Sequence, residues 1–400
     1  MNQIKNINTS TAINYMFVAY AFLVPLSRSG ISILTALLFI FWLFSDNLKE
    51  KISFLKSNQV IIYFTAFILF SVLSLLWTYD IGSGIYYIRK YWYYLPILVI
   101  ATSVEKRFLE YGISAFILSM LISEILSYGI FFELWSLKHG TPDFPTPFMS
   151  HIPYSMFVAF TSLLLLNKSF YETNIKLKIA YLIFFSTITA NLFINAGRTG
   201  QVAFIISLFV LVLLKSKYKL LAFLSTLLFT VSVLYTAYSL SPVFKARVDV
   251  GMNDITKIVE DNKYCTSIGL RFSIWEIGSK IFIENPIIGT GVTCDMNSMH
   301  EHIKKDDKTI DCVKTMRSYH NNYVQQAVDL GLVGLFLFLM IFYSTVKLKI
   351  KNQEHFNTMV IFVSVFSISG MFATLFHSFF AEAFLALFLG IFIAQHRLKI

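Results

Sequence analysis

The chain has 400 residues, of which 56% are hydrophobic, including 41 Phe. This apolar share exceeds the roughly 45–50% of a soluble globular domain and excludes that class. The formal net charge of +10 would suit a nucleic-acid partner. However, the basic residues fall mostly in short loops between apolar segments, where they act as orientation signals, so we expect no nucleic acid.

The apolar segments predict an all-α, polytopic integral membrane protein. A helix needs about 17–25 apolar residues to cross a bilayer. Twelve segments approach that length, three of them short, so ten to twelve spans are expected: 11–26, 30–45, 58–77, 85–102, 112–132, 152–166, 177–195, 200–215, 219–240, 321–347, 357–377 and 379–395. The chain then divides into nine transmembrane helices in 1–240, a loop domain in 241–319 and three transmembrane helices in 320–400. The first segment lacks a small-residue cleavage site and is expected to be retained.

The distribution of Lys and Arg predicts the orientation. The clusters occupy one set of alternating loops and the end of the chain, at Lys49/Lys51/Lys56, Lys106/Arg107, Lys168/Lys176/Lys178, Lys215/Lys217/Lys219, Lys347/Lys349/Lys351 and Arg397/Lys399. By the positive-inside rule, both termini are expected in the cytoplasm and the loop 241–319 on the opposite, outer face of the membrane.

That long loop has eleven Lys or Arg and eleven Asp or Glu and contains all three cysteines. Cysteines confined to the outer face suit an oxidising compartment and one disulfide, most simply Cys294–Cys312, which leaves Cys265 free. Three unpaired thiols are the alternative. No cysteine or histidine spacing typical of a zinc site is present, so no metal or other cofactor is expected.

Several cations in the first half of the chain are candidates for contact with an anionic lipid or substrate. Arg28 lies in a tight turn, and Arg89 and Lys90 lie among aromatic residues inside a predicted span. Charges inside a membrane helix are costly and are commonly held by an anion, a carboxylate or water. In the proline-containing loop 133–151, His139 and His151 receive no role.

Two further arginines lie in distinctive surroundings. Arg198 is flanked by Gly197 and Gly200, which let the backbone approach a ligand, and its guanidinium fork suits phosphate oxygens. The alternative is an arginine that reaches lipid headgroups. Arg271 precedes Trp275 by one turn in a predicted amphipathic helix lying on the membrane, with an apolar face of Leu270, Ile274, Ile277 and Ile281, followed by the flexible connection Ile287–Gly291.

His320 opens a polar cluster that continues without a break into an apolar helix. An imidazole where water meets hydrocarbon can exchange a proton near neutral pH, which suits an enzyme joining a soluble acceptor to a lipid-borne group. A histidine that merely caps a membrane helix is the alternative. Asn321 and Tyr323, beside it, are further candidates for substrate contact, as is Trp275.

Three motifs together resemble the O-antigen ligase family, which shares its membrane domain with O-antigen polymerases and bacterial O-linked oligosaccharyltransferases. The motifs are Gly197-Arg-Thr-Gly200, then Gly269-Leu-Arg-Phe-Ser-Ile-Trp275 with Asn285-Pro-Ile-Ile-Gly-Thr-Gly291, and His320-Asn-Asn-Tyr-Val-Gln with Gly331-Leu-Val-Gly334. The third is the most specific, and the order and predicted topology of all three also agree.

The resemblance implies a GT-C-like membrane glycosyltransferase that is inverting and metal-independent. Such ligases transfer polysaccharide from undecaprenyl diphosphate to a sugar hydroxyl of the lipid A core, completing lipopolysaccharide on the periplasmic face of the bacterial inner membrane. By resemblance, His320 activates the acceptor hydroxyl, and Arg198 and Arg271 hold and neutralise the diphosphate. Fixed cations would stabilise the charge that develops on this leaving group.

Other functions remain open at this point. An O-antigen polymerase or a protein O-oligosaccharyltransferase belongs to the same superfamily. A transporter of polysaccharide or lipid would also contain many spans and intramembrane cations, but it usually shows internal repeats, which this sequence lacks, and it leaves the large outer loop unexplained. The sequence does not predict the oligomeric state.

Overall fold

The computed structural model describes residues 9–137, 140–261, 263–293, 310–313 and 316–400. Within those ranges the chain is helical, apart from turns, loops and one isolated bridge between Thr141 and Phe144. The all-α prediction is therefore confirmed. The α-helices, in chain order, are α1 Thr9–Leu23, α2 Arg28–Leu43, α3 Leu48–Ser57, α4 Gln59–Leu73, α5 Ile81–Ile88, α6 Leu95–Ser103, α7 Lys106–Phe131, α8 His151–Tyr171, α9 Ile175–Ile194, α10 Arg198–Lys215, α11 Lys219–Leu240, α12 Pro242–Asp261, α13 Gly269–Glu284, α14 Ile310–Val313, α15 Asn322–Val346, α16 Gln353–Gly370 and α17 Phe379–Arg397.

Each of the twelve predicted segments contains helix, but fewer helices qualify as complete spans. In the described ranges, length and apolar composition qualify seven: Gln59–Leu76, α7, α9, α10, α11, α15 and α17. An eighth results if α2 and α3, bent by 111° at their junction, form one span. The predicted span 85–102 is broken by a 3-10 turn, Arg89–Tyr94, before Pro96 in the first turn of α6. The chain is a multi-pass membrane protein, and the count of twelve is not confirmed.

The helix α17 forms the centre of the apolar core. Nearly all of its residues are buried, and its phenylalanines pack against other helices. The Phe384 ring stacks on Phe157 of α8 at 4.2 Å between centroids, and Phe388 meets Phe160 of α8 at 4.6 Å. These offset and edge contacts are favourable between aromatic rings. The abundant Phe residues therefore hold the helix bundle together.

The predicted span 321–347 is helical from Asn322 to Val346, but α15 is interrupted at Gly331, which the sequence did not predict. This residue has φ +63° and ψ −160°, which is not helical. The segment 286–291 packs into the break: the Thr290 and Gly291 N–H groups donate to the carbonyls of Val328 and Asp329 at 2.9 and 2.8 Å, and the Leu332 N–H donates to the Pro286 carbonyl at 2.8 Å. Because these bonds satisfy backbone groups that the broken helix leaves unpaired, the break is tolerated beside hydrocarbon.

The same contact corrects the prediction that Ile287–Gly291 is a flexible connection. Gly289 has φ +69°, and a Cβ there would lie 2.5 Å from the Asp329 backbone. The two glycine-containing motifs around 285–291 and 331–334 therefore fit against each other. Their glycines permit a close approach of backbone to backbone.

The amphipathic helix α13 does not present its apolar face to a membrane surface. Ile274 and Ile281 are fully buried in a cluster with Tyr319, Val328 and Val313, and Val324 packs against the same cluster. The predicted apolar face is confirmed, but the prediction that this face lies on the membrane is wrong. The face packs against the loop before α15 and the first turns of that helix.

A disulfide joins Cys265 to Cys312, with the two Cα atoms 5.8 Å apart. The predicted pairing of Cys294 with Cys312 is therefore wrong, and Cys294 itself lies outside the described residues. The bond connects the segment before α13 to the segment before His320.

Candidate functional site

His320 lies in a strained loop that is held in place by its neighbours. Its φ is +46°, a left-handed conformation that residues other than glycine rarely adopt. On one side, the Trp275 indole N–H donates to the Tyr319 carbonyl at 2.8 Å. The Tyr319 N–H donates to Oε1 of Gln325 at 3.2 Å, and Gln325 donates through Nε2 to the buried Asp329 carboxylate. Strain of this kind persists only where surrounding contacts enforce it, and it clusters at functional sites.

The next residues fix the start of α15. Oδ1 of Asn321 accepts from the N–H groups of Tyr323 and Val324 at 2.8 and 3.2 Å, which caps the helix. The Tyr323 hydroxyl donates to the Ser367 carbonyl at 3.0 Å. Buried Asn322 accepts from the Leu375 N–H at 2.8 Å. In the structure, Trp275, Asn321 and Tyr323 support the loop and helix that carry His320, and their predicted contact with substrate stays a prediction.

Arg271 interacts electrostatically with both of the other principal residues, His320 and Arg198. Burial lowers the pKa of the His320 imidazole, and the positive charge of Arg271 lowers it further. Burial likewise lowers the pKa of the Arg271 guanidinium, with an added contribution from the charge of Arg198. The three side chains, far apart in sequence, are therefore brought within electrostatic range through Arg271.

Arg198 is the first residue of α10, at a tight contact with α8. The Gly200 N–H donates to Ser155 Oγ at 3.2 Å, and a Cβ on Gly200 would clash with the Ser155 backbone. Glycine is required here for close packing between helices. This contact fixes the position from which Arg198 extends.

The structure adds residues to this cluster that the sequence analysis did not assign. Arg247 of α12 interacts electrostatically with both Arg198 and His151, and Arg271 also acts on His151. The Arg247 guanidinium lies 4.9 Å above the Phe144 ring, which in turn lies 5.4 Å from the His151 ring. Sequence spacing gives no signal for Arg247, because no motif surrounds it. His139, the other histidine of that loop, lies outside the described residues.

A cavity of about 390 Å³ reaches His320. Its lining contains two cations, Lys90 and Arg317, with Tyr86 and the hydroxyl side chains of Ser150, Ser318, Thr374 and Ser378. The Lys90 ammonium lies 5.0 Å from the Tyr86 ring centroid. The volume is within the range of about 300–1,000 Å³ typical of small-molecule sites. Lys90, a predicted candidate, therefore lines the same space as His320, and Arg317 is an additional cation there.

Two other predicted cations lie against aromatic rings. The Arg28 guanidinium is 4.2 Å from the Phe379 ring centroid, and the Arg89 guanidinium is 4.5 Å from that of Tyr86. Neither is among the residues that line the cavity. Their predicted role in binding an anionic lipid or substrate stays a prediction.

Comparison with known proteins agrees with the motifs. A protein of Haemophilus influenzae described as uncharacterized is similar to this chain, with 24% identity over 350 residues that cover 85% of this chain and 84% of the relative. Residues 182–339 match the family model described as O-antigen ligase, and this interval contains Arg198, Arg271 and His320. The resemblance seen in the motifs is thereby confirmed: residues 182–339 of this multi-pass membrane protein are similar to the O-antigen ligase family.

Proposed function

We propose that this protein is an O-antigen ligase, which transfers O-polysaccharide from undecaprenyl diphosphate to a sugar hydroxyl of the lipid A core. The observation that carries the proposal is that Arg271 lies within electrostatic range of both His320 and Arg198, with all three residues inside the segment that matches the family. A base near a pair of guanidinium groups suits glycosyl transfer from a diphosphate, because the base can take the acceptor proton and the guanidinium groups can stabilise the leaving group.

In the proposed reaction, the bond between the sugar C1 and the diphosphate oxygen breaks, and its electron pair leaves with the diphosphate. The acceptor hydroxyl oxygen forms the new bond to C1 from the opposite face, so the configuration inverts. His320 takes the hydroxyl proton, and its lowered pKa keeps the imidazole neutral and able to accept it. Arg198 and Arg271 bind the diphosphate and stabilise its developing charge.

We assign the cavity beside His320 to the acceptor. Its lining includes His320 but none of Arg198, Arg247 or Arg271, so a sugar in the cavity would reach the base without displacing the diphosphate. Hydroxyl side chains and the cations Lys90 and Arg317 offer hydrogen bonds to a sugar and its anionic substituents. The proposal also places this site on the periplasmic face, within the loop domain 241–319 and the adjoining helix ends, with both termini in the cytoplasm.

The lipid gel of a deletion strain tests the proposal. A ligase predicts core lipid without polymer, together with long chains accumulated on the lipid carrier. Core bearing one repeat unit would instead indicate an O-antigen polymerase, and an unchanged lipopolysaccharide with an altered glycoprotein would indicate a protein O-oligosaccharyltransferase.

Metal independence is a separate part of the proposal. Transfer by the purified protein should continue in excess EDTA, because the arginines supply the positive charge that a metal ion would otherwise provide. Loss of transfer in EDTA, with recovery on adding magnesium, would contradict this part alone.

A further inference from the structure

The face of α12 that contains Arg247 lies against Arg198 and the start of α13. Gly251, one turn after Arg247, lies so close to Arg198 that a Cβ built on it would be 3.9 Å from Nη1. Buried Asp254, about one turn further, accepts from the Ile268 N–H at 3.2 Å through Oδ2, immediately before α13 begins. Residues four and about seven apart share a helix face, so Arg247 belongs to the face that borders the site.

The side chain of Arg247 is also held in place. Its guanidinium lies on the face of Phe144, and the Phe144 ring contacts His151. A guanidinium on an aromatic face keeps its donors free in the plane of the group while its orientation is fixed. Arg247 is therefore set beside the site rather than extended into solvent.

Among the residues that the structure describes, positive charge in this cluster exceeds negative charge. Arg198 interacts electrostatically with Arg247, with Arg271 and with the carboxylate of Asp254. One oxygen of that carboxylate already accepts from Ile268. Three guanidinium groups near one carboxylate repel one another, and an anion of at least two charges would relieve the repulsion.

We propose that Arg247 is a third diphosphate-binding arginine, which engages the leaving diphosphate together with Arg198 and Arg271. This inference rests on the proposed function for the identity of the anion. A lipid diphosphate ester of a sugar carries about two negative charges, and the free lipid diphosphate carries up to about three near neutral pH because its terminal phosphate ionises with a pKa of about 6. The third guanidinium matches the charge that appears when the C1–oxygen bond breaks.

Binding of farnesyl diphosphate and farnesyl monophosphate to the purified full chain in nanodiscs, with EDTA present, tests this role. Arg247→Gln should weaken diphosphate binding about tenfold or more, since charge-assisted hydrogen bonds are lost, and should weaken monophosphate binding about threefold or less. Phe144→Leu, which leaves the arginine in place but removes its support, should produce a smaller loss of the same kind. Lys245→Gln is the matched control, because Lys245 lies on the same helix but points to the Tyr238 ring at 5.7 Å.

Farnesyl diphosphate binding that is equal in Arg247→Gln and the wild type would overturn the inference, as would equal losses for the two ligands or no measurable diphosphate binding by the wild type. The result is separable from that for the proposed function. If the deletion strain makes normal lipopolysaccharide, the ligase assignment fails, whereas the difference between the diphosphate and monophosphate affinities still reports whether Arg247 binds diphosphate.

Discussion

The indole N–H of Trp275 donates a 2.8 Å hydrogen bond to the backbone carbonyl of Tyr319, the residue before His320. This bond connects α13, which contains Arg271, to the loop that carries the proposed base. Trp275 follows Arg271 by four positions, so both lie on one side of the helix. This bond and the packing of α13 below it therefore help to position His320 relative to Arg271, together with the contacts of Gln325 and Asn321.

Trp275→Phe should lower the transfer rate about three- to tenfold while leaving the folded yield unchanged. The substitution keeps an aromatic ring but removes a hydrogen bond worth about 0.5–1.5 kcal/mol, and about 1.4 kcal/mol corresponds to a factor of ten in rate. Single-turnover transfer by the reconstituted protein measures the effect. Lys280→Gln, on an exposed part of α13, is the control, and an unchanged rate in Trp275→Phe would show that the bond does not position His320.

The neutral form of His320 should persist to lower pH than that of an ordinary histidine. Burial and the charge of Arg271 lower its pKa, and the neutral form predominates above the pKa, so labelling of His320 by diethyl pyrocarbonate should have a midpoint below about 6.5. In Arg271→Gln the removed positive charge should raise this midpoint toward the ordinary value. Mass spectrometry of the labelled peptide across a pH series measures both, and a wild-type midpoint above 6.5 would contradict the described environment.

Gly289→Ala and Gly331→Ala should each destabilise the protein by about 1–3 kcal/mol or more. Both glycines have positive φ, and a Cβ on either would meet the backbone of the other segment. Thermal unfolding in detergent, followed by size-exclusion chromatography, should show a lower midpoint for both variants. Gly82→Ala is the control, because a Cβ there meets only the Asp80 carboxylate at 3.3 Å. Equal midpoints for all three variants would exclude the proposed fit between the segments.

The disulfide should be recovered as a linked pair of peptides containing Cys265 and Cys312 after digestion without reductant. The Cys294→Ser variant should retain the link, and Cys265→Ser should lose it and become less stable by about 2–4 kcal/mol, since the bond closes a long loop. Recovery of a Cys294–Cys312 pair from the wild type would restore the pairing expected from sequence.

The helical character of this chain follows from its composition, because segments of apolar residues near bilayer length have few other structures available. The break in α15 at Gly331 does not follow from composition. A glycine in an apolar run is tolerated in membrane helices, and only the docking of 286–291 against it shows that the helix is interrupted. Likewise, the periodicity of α13 predicted its apolar face but not what that face packs against. A helix face that is buried against other helices and one that is buried in lipid have the same apolar pattern.

The candidate site also has parts that the sequence predicts and parts that only the structure shows. The motifs around Arg198, Arg271 and His320 drew attention to those residues, and the structure brings them together through Arg271. No motif surrounds Arg247 or Arg317 in the sequence. Only the structure shows that Arg247 of α12 lies on the Phe144 ring and that Arg317 lines the cavity. The pairing of Cys265 with Cys312 could not be predicted from the sequence either. Loop length favours thiols that are close in sequence, and only the fold shows which distant thiols are close in space.

The central claim is that His320 takes the acceptor proton beside a diphosphate held by arginines. Transfer of polysaccharide from undecaprenyl diphosphate to lipid A core by the reconstituted His320→Ala variant tests it most directly, with His396→Ala, altered at the far end of α17, as the control. We predict that His320→Ala loses transfer by at least about a hundredfold, as expected for the loss of a general base, yet still binds farnesyl diphosphate, while His396→Ala behaves as the wild type. Transfer at the wild-type rate by His320→Ala would contradict the account.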